Sequence, residues 1–227
     1  MRVREDQNFR NVYWILDGKK QLATRNLTPG VRAYDETLKE IQGVEYRIWN
    51  PKRSKLAAAI HNGLRNFPFK RGSKVLYLGI ASGTTASHIS DVIGESGIIF
   101  GVEVAHWVIR DLLKLAEFRK NIIPILESAR RPQNYSWLVT EVDVVYEDVA
   151  QPDQVDILIR NSDLFLRSGG VAMIAVKASS IDVTLPPKRI YRRVEEEVLG
   201  TGRYELLETL DLSPYDPKHA MIVFKRR

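Results

Sequence analysis

The alternation of apolar and helix-forming segments from residue 74 onward constrains the fold of this 227-residue chain more than any other feature. Segments with helical spacing cover residues 84–93, 105–119, 153–166 and 188–199, and a loop with a short helix reaches residue 140. The apolar segments between them are predicted strands over residues 74–80, 97–103, 121–126, 142–148 and 170–177. Strands that alternate with helices in this way are typical of a parallel sheet covered on both faces.

The end of the chain departs from this alternation. Tyr204–Leu212 and His219–Phe224 are predicted strands, and only Ser213–Pro217 joins them. A loop this short cannot hold a helical crossover, so we expect the two strands to be antiparallel. The predicted fold class is therefore α/β: a Rossmann-like, mainly parallel seven-stranded sheet with an antiparallel C-terminal hairpin. This architecture is similar to that of the class I methyltransferases, which use S-adenosylmethionine.

The first fifty residues have a different pattern, which is that of β structure. Asn11–Leu16 and Leu22–Leu27 flank the turn-forming pair Asp17-Gly18, so they are predicted to form a hairpin. Val44–Trp49 alternates and is a candidate third strand, and Asn50-Pro51 then opens a helix predicted over residues 54–66. We therefore divide the chain into a small N-terminal β domain, residues 1–50, and a larger domain, residues 51–227.

Positive charge is concentrated in the first third of the chain. Residues 1–74 contain 16 Lys and Arg against 7 Asp and Glu, and no acidic residue occurs between Tyr46 and Ser90. The basic residues of that stretch are Arg47, Lys52, Arg53, Lys55, Arg65, Lys70, Arg71 and Lys74. One sign of charge in one segment attracts polyanions such as RNA, although a solvated basic face would have the same composition.

Several classes of protein are excluded by what the chain lacks. There is no cysteine, which excludes disulfides, thiolate metal sites and a cysteine nucleophile, and the four histidines have no metal-ligand spacing. No apolar run is long enough to span a bilayer, and the charged N-terminus does not resemble a signal peptide. We expect a soluble cytoplasmic protein without a metal.

A glycine-containing loop after the first parallel strand indicates a nucleotide site. The loop is Gly79-Ile-Ala-Ser-Gly-Thr-Thr85, and Glu103 ends the next strand. Glycines let a ligand approach the backbone, the following helix offers free N–H groups, and a carboxylate can accept hydrogen bonds from ribose hydroxyls. The loop lacks the G-x-G-x-x-G pattern of dinucleotide sites. A nicotinamide-dependent dehydrogenase would also need a substrate lobe, so S-adenosylmethionine fits better.

Four longer segments make the assignment more specific. They are Arg47–Ala59, Val75–Asp91, Glu147–Gln154 and Ser180–Thr184, and with their surroundings they resemble the fibrillarin family from about residue 8 to the C-terminus. The resemblance is to the archaeal form, without the Gly/Arg-rich extension of eukaryotic fibrillarins. It implies an enzyme that transfers a methyl group from S-adenosylmethionine to ribose 2′-hydroxyls of rRNA, and of tRNA, as the catalytic subunit of a box C/D guide RNA–protein complex.

The resemblance also implies the partners and the cofactor contacts. The partners would be the guide RNA and target RNA, a Nop-domain scaffold protein and a kink-turn-binding ribosomal-type protein. The family usually has Asp-Ala after the third parallel strand, where this chain has Ser128-Ala129, and commonly Arg after the strand-five lysine, where it has Ala178. The predicted cofactor residues are Gly79, Ala81, Gly83, Thr84, Thr85, Glu103, Val104, Ser128, Ala129, Asp148, Val149, Ala150 and Gln151.

Topology and resemblance together predict the catalytic residues. Asp148 and Lys177 end the fourth and fifth parallel strands, and His219 begins the antiparallel last strand, so all three belong to one edge of the sheet. Related 2′-O-methyltransferases use a Lys-Asp-Lys-Glu set, and fibrillarin resembles a version with His in the last place. Lys55 is the candidate for the first lysine, with Lys52 and Arg53 as rivals. We hypothesise that Asp148 holds Lys177, which orients or deprotonates the hydroxyl.

Other interpretations remain open at this point. His61, His88 and His106 are predicted to be structural, with His88 able to line the back of the pocket, and the four tryptophans to be core residues or interface anchors. A nicotinamide-dependent oxidoreductase, a non-catalytic RNA-binding scaffold and a protein methyltransferase are the alternative functions.

Overall fold

The computed structural model describes residues 1–227 and contains two β-sheets. The first is antiparallel, lies within the first fifty residues and has the order β1-β2-β3-β5-β4. Its strands are β1 (Arg2–Glu5), β2 (Val12–Asp17), β3 (Lys19–Arg25), β4 (Leu38–Ile41) and β5 (Val44–Ile48). The predicted hairpin is confirmed, with Gly18 at its turn in the left-handed conformation (φ 67°). Strands β1 and β4 were not predicted because each is only four residues long, with three polar residues in β1 and two in β4.

The second sheet has seven strands in the order β11-β12-β10-β9-β6-β7-β8. Strands β6 to β10 are parallel, and β12 is antiparallel to both of its neighbours, as predicted. Its strands are β6 (Lys74–Leu78), β7 (Ile98–Glu103), β8 (Ile122–Leu126), β9 (Val142–Glu147), β10 (Leu166–Lys177), β11 (Tyr204–Asp211) and β12 (His219–Arg226). The helices are α1 (Lys55–His61), α2 (Thr84–Ile93), α3 (Ile109–Phe118), α4 (Gln154–Phe165), α5 (Ala178–Ile181) and α6 (Pro187–Gly200), with a 3₁₀ turn at Pro132–Tyr135.

Two helices are shorter than the sequence predicted. Helix α1 ends at His61 rather than continuing to residue 66, because Gly63 adopts a left-handed conformation (φ 90°) just beyond it. Helix α3 begins at Ile109, four residues later than predicted, since a turn occupies the preceding segment and leaves Trp107 77% exposed. No helix combines the length and apolar character that crossing a lipid bilayer would need.

Apolar side chains fill both faces of the seven-stranded sheet. One core includes α4, α6 and the strand residues that face them. The other core includes α1 and α2, and it also takes Phe9, Val12, Leu22 and Trp49 from the first fifty residues. The N-terminal sheet therefore shares a hydrophobic core with the larger one, and the division of the chain into two domains at residue 50 stays a prediction.

A buried ionic cluster also fastens the first sheet to α2. Asp91 on α2 accepts hydrogen bonds from Arg47 on β5 at 2.7 Å and from Arg119 at 2.6 Å, and Arg47 pairs with Glu36 at 2.7 Å. The side chains of Arg47, Arg119 and Asp91 are fully buried. Arg47 was counted in the basic segment that attracts polyanions. That interpretation is wrong for this residue, because two carboxylates neutralise it inside the protein.

His88 belongs to the same buried cluster. Its Nδ1 lies 2.8 Å from the hydroxyl of Thr24, its Nε2 lies 2.7 Å from the hydroxyl of Tyr34, and its ring stacks on Trp49 with centroids 4.8 Å apart. Burial, with the nearby Arg47 and Arg119 charges, holds the pKa of His88 well below its ordinary value. The imidazole is therefore neutral at physiological pH and acts as a structural hydrogen-bonding group.

We predict that Asp91→Asn destabilises the protein by about 3–5 kcal/mol, the usual cost of removing one partner from a buried ionic cluster. Asp91 is the carboxylate common to both arginines, so the variant leaves two buried guanidinium groups with only Glu36 to balance them. The measurement is the free energy of unfolding in urea.

Asp156→Asn is the matched control, because Asp156 pairs with Arg160 on an exposed helix face, where both side chains are more than half exposed. It should change the free energy of unfolding by less than about 0.5 kcal/mol. A similar small effect for both variants would contradict the role given to Asp91.

Candidate active site

The carboxyl ends of the parallel strands and the start of β12 form one edge of the large sheet, where the predicted site residues gather. Gly79 follows β6 with φ 74°, and a Cβ atom on it would lie 2.6 Å from the carbonyl oxygen of Asp148. A side chain at this position would push the end of β9 away. Glycine is therefore required here by the close approach of two neighbouring loops.

The second glycine of the loop has a packing role of its own. Gly83 precedes α2 with φ 89°, and a Cβ atom there would lie 2.5 Å from Cδ2 of Leu115 on α3. The hydroxyl of Thr85, on the first turn of α2, donates a buried hydrogen bond to Ser54, the residue that caps α1. The loop thus joins the start of α2 to both α1 and α3.

Glu103, at the end of β7, holds the other side of the loop. Its carboxylate accepts hydrogen bonds from the backbone N–H of Ala81 at 3.0 Å and of Ala105 at 2.8 Å. Each oxygen makes one of these bonds, and a carboxylate has about four lone-pair positions. Glu103 therefore retains the capacity to accept hydrogen bonds from a ligand while it fixes the loop.

A cavity of about 220 Å³ opens between these loops. Of the predicted cofactor residues, it is lined by Gly79, Ala81, Glu103, Val104, Ser128, Ala129, Asp148, Val149, Ala150 and Gln151. Gly83, Thr84 and Thr85 do not line it, and their assignment as cofactor contacts stays a prediction. Val102, Glu127, Arg130 and Ile157 also line the cavity, although they were not predicted to do so.

Glu127 supplies a carboxylate close to the position where the sequence has Ser128. It accepts hydrogen bonds from the N–H of Ser128 at 2.7 Å and from the side chain of Asn134 at 3.0 Å. These bonds lower the pKa of Glu127 below its ordinary value, so it is ionised at neutral pH. Its position directly after β8 could have identified it from the sequence. Glu103 and Asp148 were identified in that way, as carboxylates at the carboxyl ends of parallel strands.

Arg130 orders the loop that follows β9. Its guanidinium donates two hydrogen bonds to Asp153, at 2.6 and 2.7 Å, and one to the side chain of Gln151 at 2.8 Å. Nothing in the sequence spacing connects Arg130 with residues more than twenty positions away, so this contact required the structure. It fixes Gln151 at the wall of the cavity.

The structure distinguishes among the three candidates for the first lysine. The ammonium group of Lys55, the first residue of α1, lies 2.8 Å from one carboxylate oxygen of Asp148 and 3.1 Å from the other. Arg53 pairs with Asp35 instead, and Lys52 is exposed. Lys55 is therefore the basic residue that joins Asp148 at the sheet edge.

The hypothesis that Asp148 holds Lys177 is wrong. Asp148 pairs with Lys55, and the ammonium group of Lys177 makes no hydrogen bond or ion pair within the protein. Lys177 is half-buried at the end of β10 and is the register partner of His219 on β12. The two residues thus lie side by side at the edge where Asp148 ends the adjacent strand.

Asp216 was missed by the sequence analysis and contacts His219. Nδ1 of His219 lies 2.8 Å from a carboxylate oxygen of Asp216 and 3.1 Å from the carbonyl oxygen of Pro217. Both partners can only accept, so Nδ1 must carry a proton. When the ring is neutral, its Nε2 is left with a lone pair that can accept a proton.

Glu147 is a buried carboxyl group directly before Asp148. It is completely inaccessible to solvent, and neither of its oxygens has a hydrogen-bond partner in the protein. Burial raises the pKa of Glu147 well above its ordinary value, and the charges of Asp148 and Asp153 add to the effect. Burial therefore favours the neutral form of Glu147 at this end of β9.

Comparison with known proteins gives consistent matches over almost the whole chain. The family model described as Fibrillarin matches residues 3–227. A fibrillarin-like rRNA/tRNA 2′-O-methyltransferase of Pyrococcus abyssi is 54% identical over 220 residues, which is 96% of each chain.

Two solved structures have the same fold. Aeropyrum pernix fibrillarin in complex with natively bound S-adenosyl-L-methionine is 49% identical and has a TM-score of 0.92, with 99% of this chain and 98% of that chain covered. The chain matched in a fibrillarin/Nop5p complex is 40% identical and has a TM-score of 0.87, with 99% and 100% covered. The predicted methyltransferase fold is thereby confirmed.

We predict that Glu147→Gln stabilises the protein increasingly as the pH rises. Above the ordinary glutamate pKa of about 4.3, the unfolded chain loses its proton while the folded protein keeps it. This lowers the stability of the wild type by about 1.4 kcal/mol per pH unit, up to the raised pKa of Glu147. Glutamine cannot ionise and avoids the loss, so the two proteins should be similar near pH 4.5 and differ most at alkaline pH.

Urea unfolding between pH 5 and 8.5 measures this difference. Glu141→Gln, just before β9 on the exposed surface, is the matched control and should follow the wild type at every pH. A Glu147→Gln variant whose stability follows that of the wild type across the range would show that Glu147 is not a buried neutral acid.

Proposed function

Since the chain belongs to the fibrillarin family, we propose that it transfers methyl groups from S-adenosylmethionine to ribose 2′-hydroxyls of rRNA and tRNA. The single observation that carries this proposal is the convergence of Lys55, Asp148, Lys177 and His219 on the sheet edge beside the cavity. The curated relatives are named for this reaction, and a relative of the same fold holds the cofactor.

The residues of the cavity fit S-adenosylmethionine. Glu103 has lone pairs for ribose hydroxyls, Glu127 is an acceptor for an amino group, and Val104, Val149 and Ile157 offer apolar surface to a flat base. When bound, the cofactor supplies a methyl group on a positively charged sulfur. A carboxylate such as Asp148 near that charge is favourable for binding.

The protein's own residues must align the hydroxyl and remove its proton. His219 is suited to accept the proton because Asp216 and Pro217 hold the proton on Nδ1 and leave the lone pair of Nε2 available. Lys177 is the register partner of His219, and its ammonium group makes no hydrogen bond or ion pair within the protein, so it can donate a hydrogen bond to the ribose oxygen. The ion pair with Lys55 fixes the direction of the Asp148 carboxylate. Asp216 is thus a positioning residue.

We also propose the partners that the family implies. A Nop-domain scaffold protein is supported by the relative that was solved in a fibrillarin/Nop5p complex. A box C/D guide RNA would pair with the target RNA and select the nucleotide, and a kink-turn-binding ribosomal-type protein would complete the assembly. The exposed Trp107 and Trp137 are candidates for interface anchors, since they are 77% and 81% accessible.

The test is radiolabelled methyl transfer into target RNA by this protein with the guide RNA and both partner proteins. We expect incorporation in the complete mixture and none without the guide RNA. Lys177→Ala should abolish transfer, and Asp216→Asn should lower kcat about tenfold or more while the KM for RNA is unchanged, because a displaced general base loses most of its effect. Asp216→Glu should restore part of the rate.

Calorimetric binding of S-adenosylmethionine provides the control, since the Lys177 variant and the two Asp216 variants should bind it as the wild type does. If the complete mixture gave no incorporation, the proposed methyltransferase activity would be refuted. If RNA binding persisted without transfer, the chain would be a non-catalytic scaffold, and binding of NAD in place of S-adenosylmethionine would favour an oxidoreductase.

A further inference from the structure

A second cavity lies where the N-terminal sheet meets the end of α1 and the loop between β11 and β12. It has a volume of about 330 Å³ and is bordered by the end of β5, the C-terminal residue of α1 and the loop between β11 and β12. The residues that matter for its chemistry are Trp49, His61, Tyr215 and Lys20. None of the residues that line it is acidic.

The position of α1 connects this cavity to the active site. Lys55, the first residue of the helix, pairs with Asp148, and His61, the last, borders the cavity about 9 Å further along the axis. The side chain of Asn62 donates hydrogen bonds of 2.8 Å to the carbonyl oxygens of Asp211 and Ser213, which fix this end of α1 to the loop.

The loop between β11 and β12 contributes to both sites. Asp216 contacts His219 in the active site, and its neighbour Tyr215 is half-buried at the wall of the cavity. A ligand in the cavity would therefore contact the loop that positions His219.

Two residues of the wall have polar atoms without a partner. The indole nitrogen of Trp49, a residue with no solvent exposure, and Nε2 of His61 are buried and make no hydrogen bond within the protein. Burial, together with the charge of Lys20, lowers the pKa of His61, so its ring is neutral. Buried polar groups normally have partners, so these two nitrogens beside the cavity have hydrogen-bonding capacity that the protein itself leaves unused.

The remaining groups favour a flat ligand of negative or neutral charge. The rings of His61 and Tyr215 have centroids 5.2 Å apart, and Trp14 meets His61 edge-on at 5.0 Å. Lys20 lines the cavity, and its ammonium group lies 3.9 Å from the centroid of the ring of Trp14, which does not line it. Aromatic side chains, hydrogen-bonding groups and a nearby cation are what proteins use to bind unpaired bases of single-stranded RNA.

Another cavity, of about 550 Å³, is less suited to RNA. Four carboxylates line it, from Glu40, Glu45, Asp91 and Glu95, against two arginines. A phosphate backbone would be repelled there, and the cavity lies at the opposite end of α2, beside Gly94.

We propose that the 330 Å³ cavity binds one unpaired nucleobase of the RNA bound at the active site. This inference rests on the proposed function, because it takes the ligand to be the RNA that is methylated or its guide. Bound in this way, the base would set the distance between the RNA strand and the catalytic residues. His61, which the sequence predicted to be structural, would then be a ligand-binding residue.

The test uses the complete RNA–protein complex with 4-thiouridine placed at one unpaired position of the target or guide RNA at a time. We expect one position to crosslink on irradiation to a peptide containing Tyr215 or His61. An abasic site at that position should raise the KM for RNA about tenfold, as expected for a stacked base. If 4-thiouridine at every position crosslinked only to other peptides, the proposal would be overturned.

Coupling between the base and the cavity gives a second readout. Tyr215→Leu should raise the KM for intact RNA to a similar extent, and removing the base should then have less than a twofold further effect. If Tyr215→Leu and removal of the base raised KM independently, so that their effects multiplied when combined, the base would not contact Tyr215 directly. Lys20 is exposed, so Lys20→Gln should fold normally and still weaken RNA binding several-fold, whereas the adjacent Lys19→Gln should not.

The two proposals can fail separately. If the wild-type complex transfers no methyl group, the proposed function fails, whatever the crosslinks show. If transfer is normal and neither the abasic RNA nor the cavity variants change KM, the methyltransferase stands and the nucleobase site is excluded.

Discussion

The close contact between Gly79 and the main chain of Asp148 is the constraint on which the site depends. Parallel pairing of β6 with β9 brings the two loops together, and only a residue without a side chain fits between them. The contact fixes the glycine loop and Asp148 relative to each other. The loop also donates a hydrogen bond from the N–H of Ala81 to Glu103, and α1 is tied to it through Ser54, so the cavity and Lys55 are built on one rigid edge.

The N-terminal sheet contributes to this rigidity from a distance. Its residue Arg47 and the helix residue Asp91 form a fully buried pair, and Trp49 packs on His88 of α2. Helix α2 starts at the glycine loop, so the first fifty residues hold in place the helix that follows this loop. The same segment leads through Asn50 and Pro51 to α1 and Lys55, the lysine that pairs with Asp148, which gives this small sheet a role in positioning the site as well as in stability.

The sequence predicted those parts of the molecule that follow from strand direction. The order of strands and helices, the antiparallel ending, and the placement of Asp148, Lys177 and His219 at one edge all depend on the rule that carboxyl ends of parallel strands meet. Contacts between distant side chains were not predictable in this way. Three such contacts depend on loop conformations that no periodicity specifies: Arg130 with Asp153, Asp216 with His219, and Lys55 with Asp148. The prediction for Arg47 was wrong because charge composition does not reveal burial.

The central claim is that one edge of the sheet holds the methyl donor against this set of polar residues. A crystal structure of the protein with S-adenosylmethionine bound tests it most directly. We expect ribose hydroxyls within hydrogen-bond distance of Glu103 and the methyl group facing the space between Asp148 and Lys177. A cofactor bound elsewhere, or a methyl group turned away from these two residues, would contradict it.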